Sequence, residues 1–131
     1  GVYRSDDAGQ SWTKDAQAPG PAVCKPGTSR TWEAALEYVG CLNSNKFNGK
    51  GDWRLPNLNE LESLVNHGQT NNSIWLREQG FSNVHGSSYW SSSTYPYNVW
   101  NAWSVNMHDG SVSSMAKKHD IEIWPVRVRL Q

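Results

Sequence analysis

The chain has 131 residues, and its 12 Lys and Arg residues balance 12 Asp and Glu residues, so its formal net charge is zero. One domain with one core suits this length, and a neutral chain lacks the basic face that a general nucleic-acid binder needs. No apolar run reaches the ~18 residues of a membrane-spanning helix, so no membrane insertion is expected. Eight Trp and five Tyr supply too much buriable surface for a disordered chain.

Gly and Pro residues punctuate residues 1 to 30, which predicts an extended, loop-like lead-in to a single domain over residues 1 to 131. Because the sequence starts at Gly1 without Met, we expect that a leader or larger N-terminal region preceded it. A disulfide between Cys24 and Cys41 would close a loop of about 18 residues and stabilise the fold by roughly 3 kcal/mol. The Trp-, Ser- and Asn-rich composition is typical of extracellular proteins and favours this disulfide. Two free buried thiols are the alternative.

The first predicted helix begins after Thr31, which can cap it, and ends near Asn43. Its apolar residues fall on one face at helical spacing. They are Trp32, Ala35, Leu36, Val39 and Leu42.

The second predicted helix follows Pro56. Asn57 and Glu60 have the spacing of a capping box, and Gly68 is predicted to end the helix in a left-handed conformation. Its apolar stripe consists of Leu58, Leu61, Leu64 and Val65.

From Gly86 onward the apolar period becomes two, which predicts antiparallel strands over residues 89–92, 102–107 and 110–115. His108-Asp109-Gly110 separates the last two, and Asp-Gly at such a place indicates a hairpin turn. A final strand over residues 121–128 should lie at an edge or contain a bulge, because Pro125 cannot donate to a ladder. Helices followed by antiparallel strands make this an α+β domain.

Short motifs occur along the chain in the order Trp12-Thr13-Lys14-Asp15, Thr31-Trp32-Glu33-Ala34-Ala35-Leu36, Gly51-Asp52-Trp53-Arg54-Leu55-Pro56-Asn57, Glu60-Leu61, Tyr89-Trp90-Ser91-Ser92-Ser93, Ala102-Trp103-Ser104-Val105-Asn106, Asp109-Gly110 and Trp124-Pro125-Val126-Arg127. Over roughly residues 10 to 127, this order resembles the C-terminal domain family of the Legionella collagen-like adhesin.

The resemblance implies a C-type-lectin-like fold, with two helices packed on a twisted antiparallel sheet and a long loop region. It also implies a bacterial surface or secreted location, and a homotrimer assembled through a region before Gly1. The best-known relative binds sulfated glycans. The zero net charge of this chain does not favour that ligand, which needs a basic surface.

Calcium, other metals and cofactors are not expected. Calcium-dependent lectins use Glu-Pro-Asn or Gln-Pro-Asp followed by Trp-Asn-Asp, whereas here Leu55 precedes Pro56-Asn57 and residues 95–100 contain no carboxylate. Two carboxylate pairs remain open as cation ligands, Asp6 with Asp7 and Asp109 with Asp120.

An enzyme is not expected either. Formylglycine-generating enzymes share the fold that the resemblance implies, but their active-site cysteines lie late in the chain, whereas Cys24 and Cys41 lie in the first third. A formylglycine-generating-type oxidase is therefore the least favoured function. The histidines are predicted to lie at the surface. They are His67, His85, His108 and His119.

Most tryptophans are predicted to pack in the core. This set is Trp12, Trp32, Trp53, Trp90, Trp103 and Trp124. The sequence does not decide whether Trp75 belongs to the core. The carboxylate of Asp52 should pair with Arg54 or another nearby cation.

The candidate binding surface is the segment from Thr94 to Asn101, which places two Tyr and one Trp in eight residues between strands. Such rings give contact area at low entropic cost and can stack on sugars. The alternative is that these rings fold back as a loop core. The predicted ligand-binding residues are Tyr95, Tyr97, Asn98, Trp100, His108, Lys118 and His119. Lys117 and Lys118, with Arg127 or Arg129, are candidates for a small anion patch.

The function hypothesis is an extracellular adhesion module that binds a glycan or protein on another cell or surface. A second hypothesis starts from a similar frame in retroelement-diversified variable proteins. In that case the seven residues above and Glu122 would be selected contacts for one partner.

Overall fold

The computed structural model describes the backbone of residues 2–5 and 12–16 and the whole of residues 21–26, 29–81 and 84–127. Its helices are α1 (Trp32–Ser44), α2 (Leu58–Glu62) and α3 (Asn72–Glu78). Its strands are β1 (Val2–Ser5), β2 (Trp12–Ala16), β3 (Ser88–Thr94), β4 (Asn101–Asn106) and β5 (Val112–Ala116). The α+β prediction is confirmed. No helix in these ranges is both long and apolar enough to cross a membrane.

The main sheet is antiparallel with the order β3-β4-β5, as the three alternating segments predicted. Gly110 has a positive φ of 78° in the predicted turn between β4 and β5, where a residue without a Cβ is favoured. The strands β1 and β2 form a separate antiparallel pair. Their pairing was missed, because the lead-in was predicted only as extended or loop structure.

The predicted last strand, residues 121–128, is not a continuous strand in its described part. Three isolated bridges replace it, joining Ile121 to Arg30, Glu122 to Tyr89 and Val126 to Arg54. Each bridge reaches a different part of the fold, so no regular ladder forms. Residue 128 lies outside the described residues.

The helix α1 has the predicted cap, since the Thr31 hydroxyl accepts a hydrogen bond from the Ala34 N–H at 3.2 Å. Its buried stripe runs through Ala35, Tyr38, Val39 and Leu42. Leu36 was predicted on this face but is exposed. The reason is that residue 36 lies about 100° around the helix from residue 35, at the flank of the stripe.

Cys24 and Cys41 form the predicted disulfide, with their Cα atoms 5.8 Å apart. The bond ties a 3-10 turn, Ala22–Cys24, to the side of α1. The guanidinium of Arg30 reinforces this joint, because it donates to the Cys24 carbonyl at 3.2 Å and lies 4.4 Å from the centre of the Tyr38 ring. The segment that leads into α1 is therefore held at both ends.

The helix α2 begins with the predicted capping box: the Asn57 side chain accepts from the Glu60 N–H, and Glu60 accepts from the Asn57 N–H, both at 2.8 Å. Glu60 is fully buried and receives two hydrogen bonds from the Arg54 guanidinium, at 2.6 and 2.7 Å. Burial raises the pKa of Glu60, but the Arg54 hydrogen bonds, the Asn57 N–H and the Arg54 charge together hold that pKa below its ordinary value.

The second helix is shorter than predicted, and Gly68 does not adopt a left-handed conformation. The side chain of buried Asn72 explains the early end. It accepts from the Asn66 N–H at 2.8 Å and donates to the Leu64 carbonyl at 3.1 Å. These are backbone groups that a continuing helix would pair within itself. A separate helix, α3, follows a cap at Asn71 and was not predicted.

The described core consists of two clusters. Trp53 and Trp90 lie in the first and Trp124 in the second, all buried as predicted. Trp32 and Trp103, which were also predicted in the core, are half-buried, as is Trp75. The side chain of Trp12 lies outside the described residues.

Asp52 pairs with Arg127, whose Nε donates to Oδ1 at 2.8 Å, so the predicted partner is another cation rather than Arg54. This hydrogen bond lowers the pKa of Asp52. Arg54 pairs with Glu60 instead, and the pair fixes the segment before α2.

Candidate functional site

The loop between β3 and β4 has a well-satisfied backbone. The Tyr95 N–H donates to the Asn101 carbonyl at 2.9 Å, and the Asn101 N–H donates to the Asn98 carbonyl at 3.0 Å. The Asn98 side chain closes the loop further, because its Oδ1 accepts from the Trp100 N–H at 3.0 Å. The conformation of this loop is therefore set by local hydrogen bonds that do not use its large side chains.

Those large side chains divide into an inner and an outer group. Tyr95 is half-buried, and its ring contacts those of Trp103 and Tyr97 edge-on, with centroids 4.8 and 5.5 Å apart. Tyr97, Val99 and Trp100 point outward, with exposed fractions of 86, 64 and 77 %. The loop-core alternative thus holds for Tyr95 alone, and three apolar side chains face solvent.

Lys117 joins this loop to the start of α1. Its N–H donates to the Trp100 carbonyl at 2.8 Å, and its carbonyl accepts from the Trp32 N–H at 3.0 Å. Its ammonium lies 4.0 Å from the centre of the Trp32 ring and donates to the Thr94 hydroxyl at 3.0 Å. The charge of Lys117 is thus stabilised by contacts within the protein.

The β3–β4 loop, the first turn of α1 and the residues Lys117 and Lys118 together form a groove of ≈ 370 Å³, which we call the aromatic groove. Its lining residues are Thr31, Trp32, Glu33, Val99, Trp100, Lys117 and Lys118. Glu33 and Lys118 are exposed, and neither has an ion-pair partner among the described residues. The groove therefore offers an aromatic wall, one unpaired carboxylate and one unpaired ammonium.

Buried Ser91 connects Trp32, which lines the groove, to Trp103 on β4. The Ser91 carbonyl accepts from the Trp32 indole N–H at 3.0 Å, and the Ser91 hydroxyl donates to the Trp103 carbonyl at 2.7 Å. The pairing of β3 with β4 shifts register between Trp90 and Thr94, which includes this serine. Ser91 thus holds the indole of Trp32 and the backbone of Trp103, whose ring contacts that of Tyr95.

Six of the seven predicted site residues lie on or beside the aromatic groove. Trp100 and Lys118 line it, Tyr97 and Asn98 belong to the same loop, and Tyr95 supports that loop. Exposed His119 follows Lys118, with its N–H donating to the Ala116 carbonyl at 2.9 Å.

His108 does not line the aromatic groove. It lies in the turn after β4, and β4 carries the chain six residues away from the loop, a distance of roughly 20 Å. Arg127 is also separate from the proposed anion patch, because it is buried and bonded to Asp52. Arg129 lies outside the described residues.

The wall that α1 contributes was missed by sequence reasoning. Thr31 signalled a helix start, so Trp32 and Glu33 were recognisable as first-turn residues. Nothing local indicated that this turn meets Trp100 and Lys117, because that contact depends on how the helix packs on the sheet.

Glu122, the remaining contact of the retroelement hypothesis, does not line the aromatic groove. Glu122 lies beside the start of β3, where its carboxylate contacts His85 Nδ1 at 3.1 Å and its backbone pairs with Tyr89. With His108 also distant from the groove, two of the eight positions are separate from the rest.

A metal centre has no support in residues 21–26, 29–81 and 84–127, where no group of three or more His, Cys, Asp or Glu side chains is placed to hold an ion. Asp109 accepts from the N–H and hydroxyl of Ser111, at 2.9 and 2.7 Å. The Ser111 N–H lowers the pKa of Asp109. Asp6 and Asp7 lie outside the described residues.

Fold and groove define a small α+β domain with one disulfide, in which exposed Trp100 lines a concave surface. The model of the family described as the Lcl C-terminal domain matches residues 1–127, so the chain belongs to that family, as the motif order predicted. No curated protein matches the sequence. Family membership indicates an adhesion-related module, and together with the Cys24–Cys41 disulfide it indicates an extracellular or surface protein.

Proposed function

We propose that the domain is a non-catalytic adhesion module with a C-type-lectin-like architecture, which binds a glycan in the aromatic groove. The observation that carries this proposal is the exposure of Tyr97, Val99 and Trp100 on a loop whose backbone is already hydrogen-bonded. Contiguous exposed apolar side chains on a small domain mark an interaction site more often than a structural need.

The shape of the groove favours a glycan over a protein partner. Its volume of ≈ 370 Å³ falls within the roughly 300–1,000 Å³ of small-ligand sites. A stable protein interface needs on the order of 800 Å² from each partner, whereas this surface is one loop and two turns. Indole and phenol rings also present a flat apolar face with a polar edge, which matches a sugar ring.

A glycan array probed with the native domain and with a Tyr97→Ala/Trp100→Ala double variant tests the proposal. We expect the double variant to lose at least about tenfold in affinity, because each ring contributes roughly 1 kcal/mol or more of contact. Val23→Ala and Ile74→Ala alter exposed apolar side chains that do not line the groove, so they are matched controls and should bind normally.

The proposal is overturned if the folded double variant binds as the native domain does. It is also overturned if the native domain binds no glycan, in which case a protein partner becomes the better explanation of the exposed rings. Circular dichroism and thermal melting of each variant separate loss of binding from loss of fold.

A further inference from the structure

We infer that the aromatic groove selects an uncharged pyranose residue, which stacks on Trp100 while its hydroxyls pair with Glu33 and Lys118. This inference rests on the proposed function and specifies its ligand class. The alternative is an anionic glycan drawn to the two lysines of the groove. Three features of the described residues favour the uncharged sugar.

The first feature is that the ammonium of Lys117 already has partners within the protein. Its ammonium lies against the face of the Trp32 ring and donates to the Thr94 hydroxyl. An ammonium has three N–H donors, so part of its bonding capacity is already taken. Of the two lysines in the groove, Lys118 alone presents an ammonium without such contacts among the described residues.

The second feature is the balance of charge around the groove. Glu33 lines the groove on the side of α1, and exposed Asp120 follows Lys118 by two residues. Within the lining of the groove, Glu33 offsets one of the two lysine charges, and the Lys117 ammonium is already held by Trp32 and Thr94. A polyanion is attracted by several cations of one sign acting together, and this surface does not supply them.

The third feature is the hydrogen-bonding chemistry of Glu33. An ionised carboxylate only accepts hydrogen bonds, and a sulfate or a carboxylate on a sugar has no proton to give it. A sugar hydroxyl can donate to Glu33 and accept from Lys118. An uncharged pyranose, with an apolar C–H face and a rim of hydroxyls, therefore complements the groove, whereas an anionic one would place like charges together.

The test uses sets of three oligosaccharides with the same backbone, in neutral, sulfated and carboxylated forms, bound to the native domain. We expect the neutral form to bind most tightly. Its affinity should change by less than about twofold between 50 and 500 mM NaCl, because contacts other than ion pairs are little affected by screening.

The decisive variant is Glu33→Gln. Binding of the neutral sugar should fall about fivefold or more, as expected when a hydrogen bond to a charged group is lost, and binding of the sulfated sugar should improve. Glu37→Gln is the matched control, because Glu37 is exposed on the same helix one turn later and does not line the groove. It should leave both affinities unchanged.

The inference is overturned if the native domain prefers the sulfated form and loses more than about tenfold in affinity over the same salt range. It is also overturned if Glu33→Gln behaves like Glu37→Gln. Either result leaves the proposed function standing as long as the Tyr97→Ala/Trp100→Ala variant fails to bind. Absence of binding to every sugar overturns both.

Discussion

The two connections of the main sheet satisfy their backbones in the same way but treat their side chains differently. In the β4–β5 turn, Asn106 Oδ1 accepts from the N–H groups of His108 and Asp109, at 2.8 and 3.3 Å. Asp109 in turn binds Ser111. Short polar residues thus suffice to build a tight turn.

The β3–β4 loop also has an Asx contact, from Asn98 to the Trp100 N–H, yet it carries Tyr97, Val99 and Trp100 in solvent. A loop closed by Asn98 does not need three large apolar side chains for its conformation. Local folding therefore does not explain the exposed side chains of Tyr97, Val99 and Trp100, which supports the proposed binding role. Four substitutions test whether the two connections differ in this way.

The largest loss of unfolding free energy is expected from Glu60→Gln, which removes the charge that pairs with Arg54. The carbonyl of Pro56, just before α2, accepts from the Ser92 N–H at 2.8 Å, so the pair of half-exposed Arg54 with buried Glu60 supports β3 near the loop. Removing the charge of Glu60 should cost about 2–3 kcal/mol at pH 7, because it weakens two hydrogen bonds from Arg54 to a buried charged acceptor. Denaturant unfolding measures this loss.

The same variant gives a pH signature. The folded-state pKa of Glu60 is below its ordinary value, so its stabilisation is present above the unfolded-state pKa of about 4.3 and is lost as the pH falls through the folded-state pKa. The native domain should therefore lose more stability between pH 5 and pH 3 than Glu60→Gln does, while exposed Glu62→Gln should follow the native curve. Parallel curves for all three proteins would contradict the assigned role of the pair.

The next largest loss of unfolding free energy is expected from Gly110→Ala in the β4–β5 turn. A Cβ at this position would lie 2.5 Å from Val65 Cγ1, and the backbone has a positive φ. Strain and crowding should together cost about 2 kcal/mol in unfolding free energy, with no effect on glycan binding. Gly40→Ala, in open space on α1, should be neutral or slightly stabilising. Loss of binding by folded Gly110→Ala would show that the two connections are not independent.

A smaller effect is expected from Tyr95→Ala. It removes the ring that lies between Trp103 and Tyr97, which should cost about 1 kcal/mol of stability and weaken binding by loosening the loop. Tyr95→Phe keeps both ring contacts and should restore stability and binding. If Tyr95→Ala bound sugar normally, the inner ring would have no part in holding the outer ones.

The smallest change in stability is expected from Trp100→Ala. Because the ring is exposed, unfolding free energy should shift by no more than about 0.5 kcal/mol, even though binding is lost. A clear loss of stability in thermal or denaturant unfolding would mean that Trp100 serves the fold, which is the opposite of what the comparison indicates.

Local signals made much of the fold predictable. The caps at Thr31 and Asn57 and the turn at Gly110 depend on neighbouring residues, so the sequence indicated them correctly. The end of α2 was predicted too late in the chain. The Asn72 side chain, several residues further on, binds the backbone groups of Leu64 and Asn66 that a longer helix would have paired internally. Side-chain pairing across the fold is not visible in apolar spacing.

The candidate site was likewise predictable in part. The outward rings of Tyr97 and Trp100 were predictable, because several large aromatics in a short loop exceed what a loop core can bury. The contribution of Trp32 and the separation of His108 were not, since both follow from the direction of strands and the placement of α1. A residue type can be recognised in sequence, but its neighbours in space depend on topology.

The two backbone hydrogen bonds of Lys117 have a mechanical consequence for an adhesion module. A pull on Trp100 passes through its carbonyl to Lys117, and from the Lys117 carbonyl to the first residue of α1. From there the load runs along the helix to Cys41 and across the covalent bond to Cys24. If the groove holds a ligand, tension on that ligand would load this path from a surface loop to a cross-link, in parallel with the covalent chain.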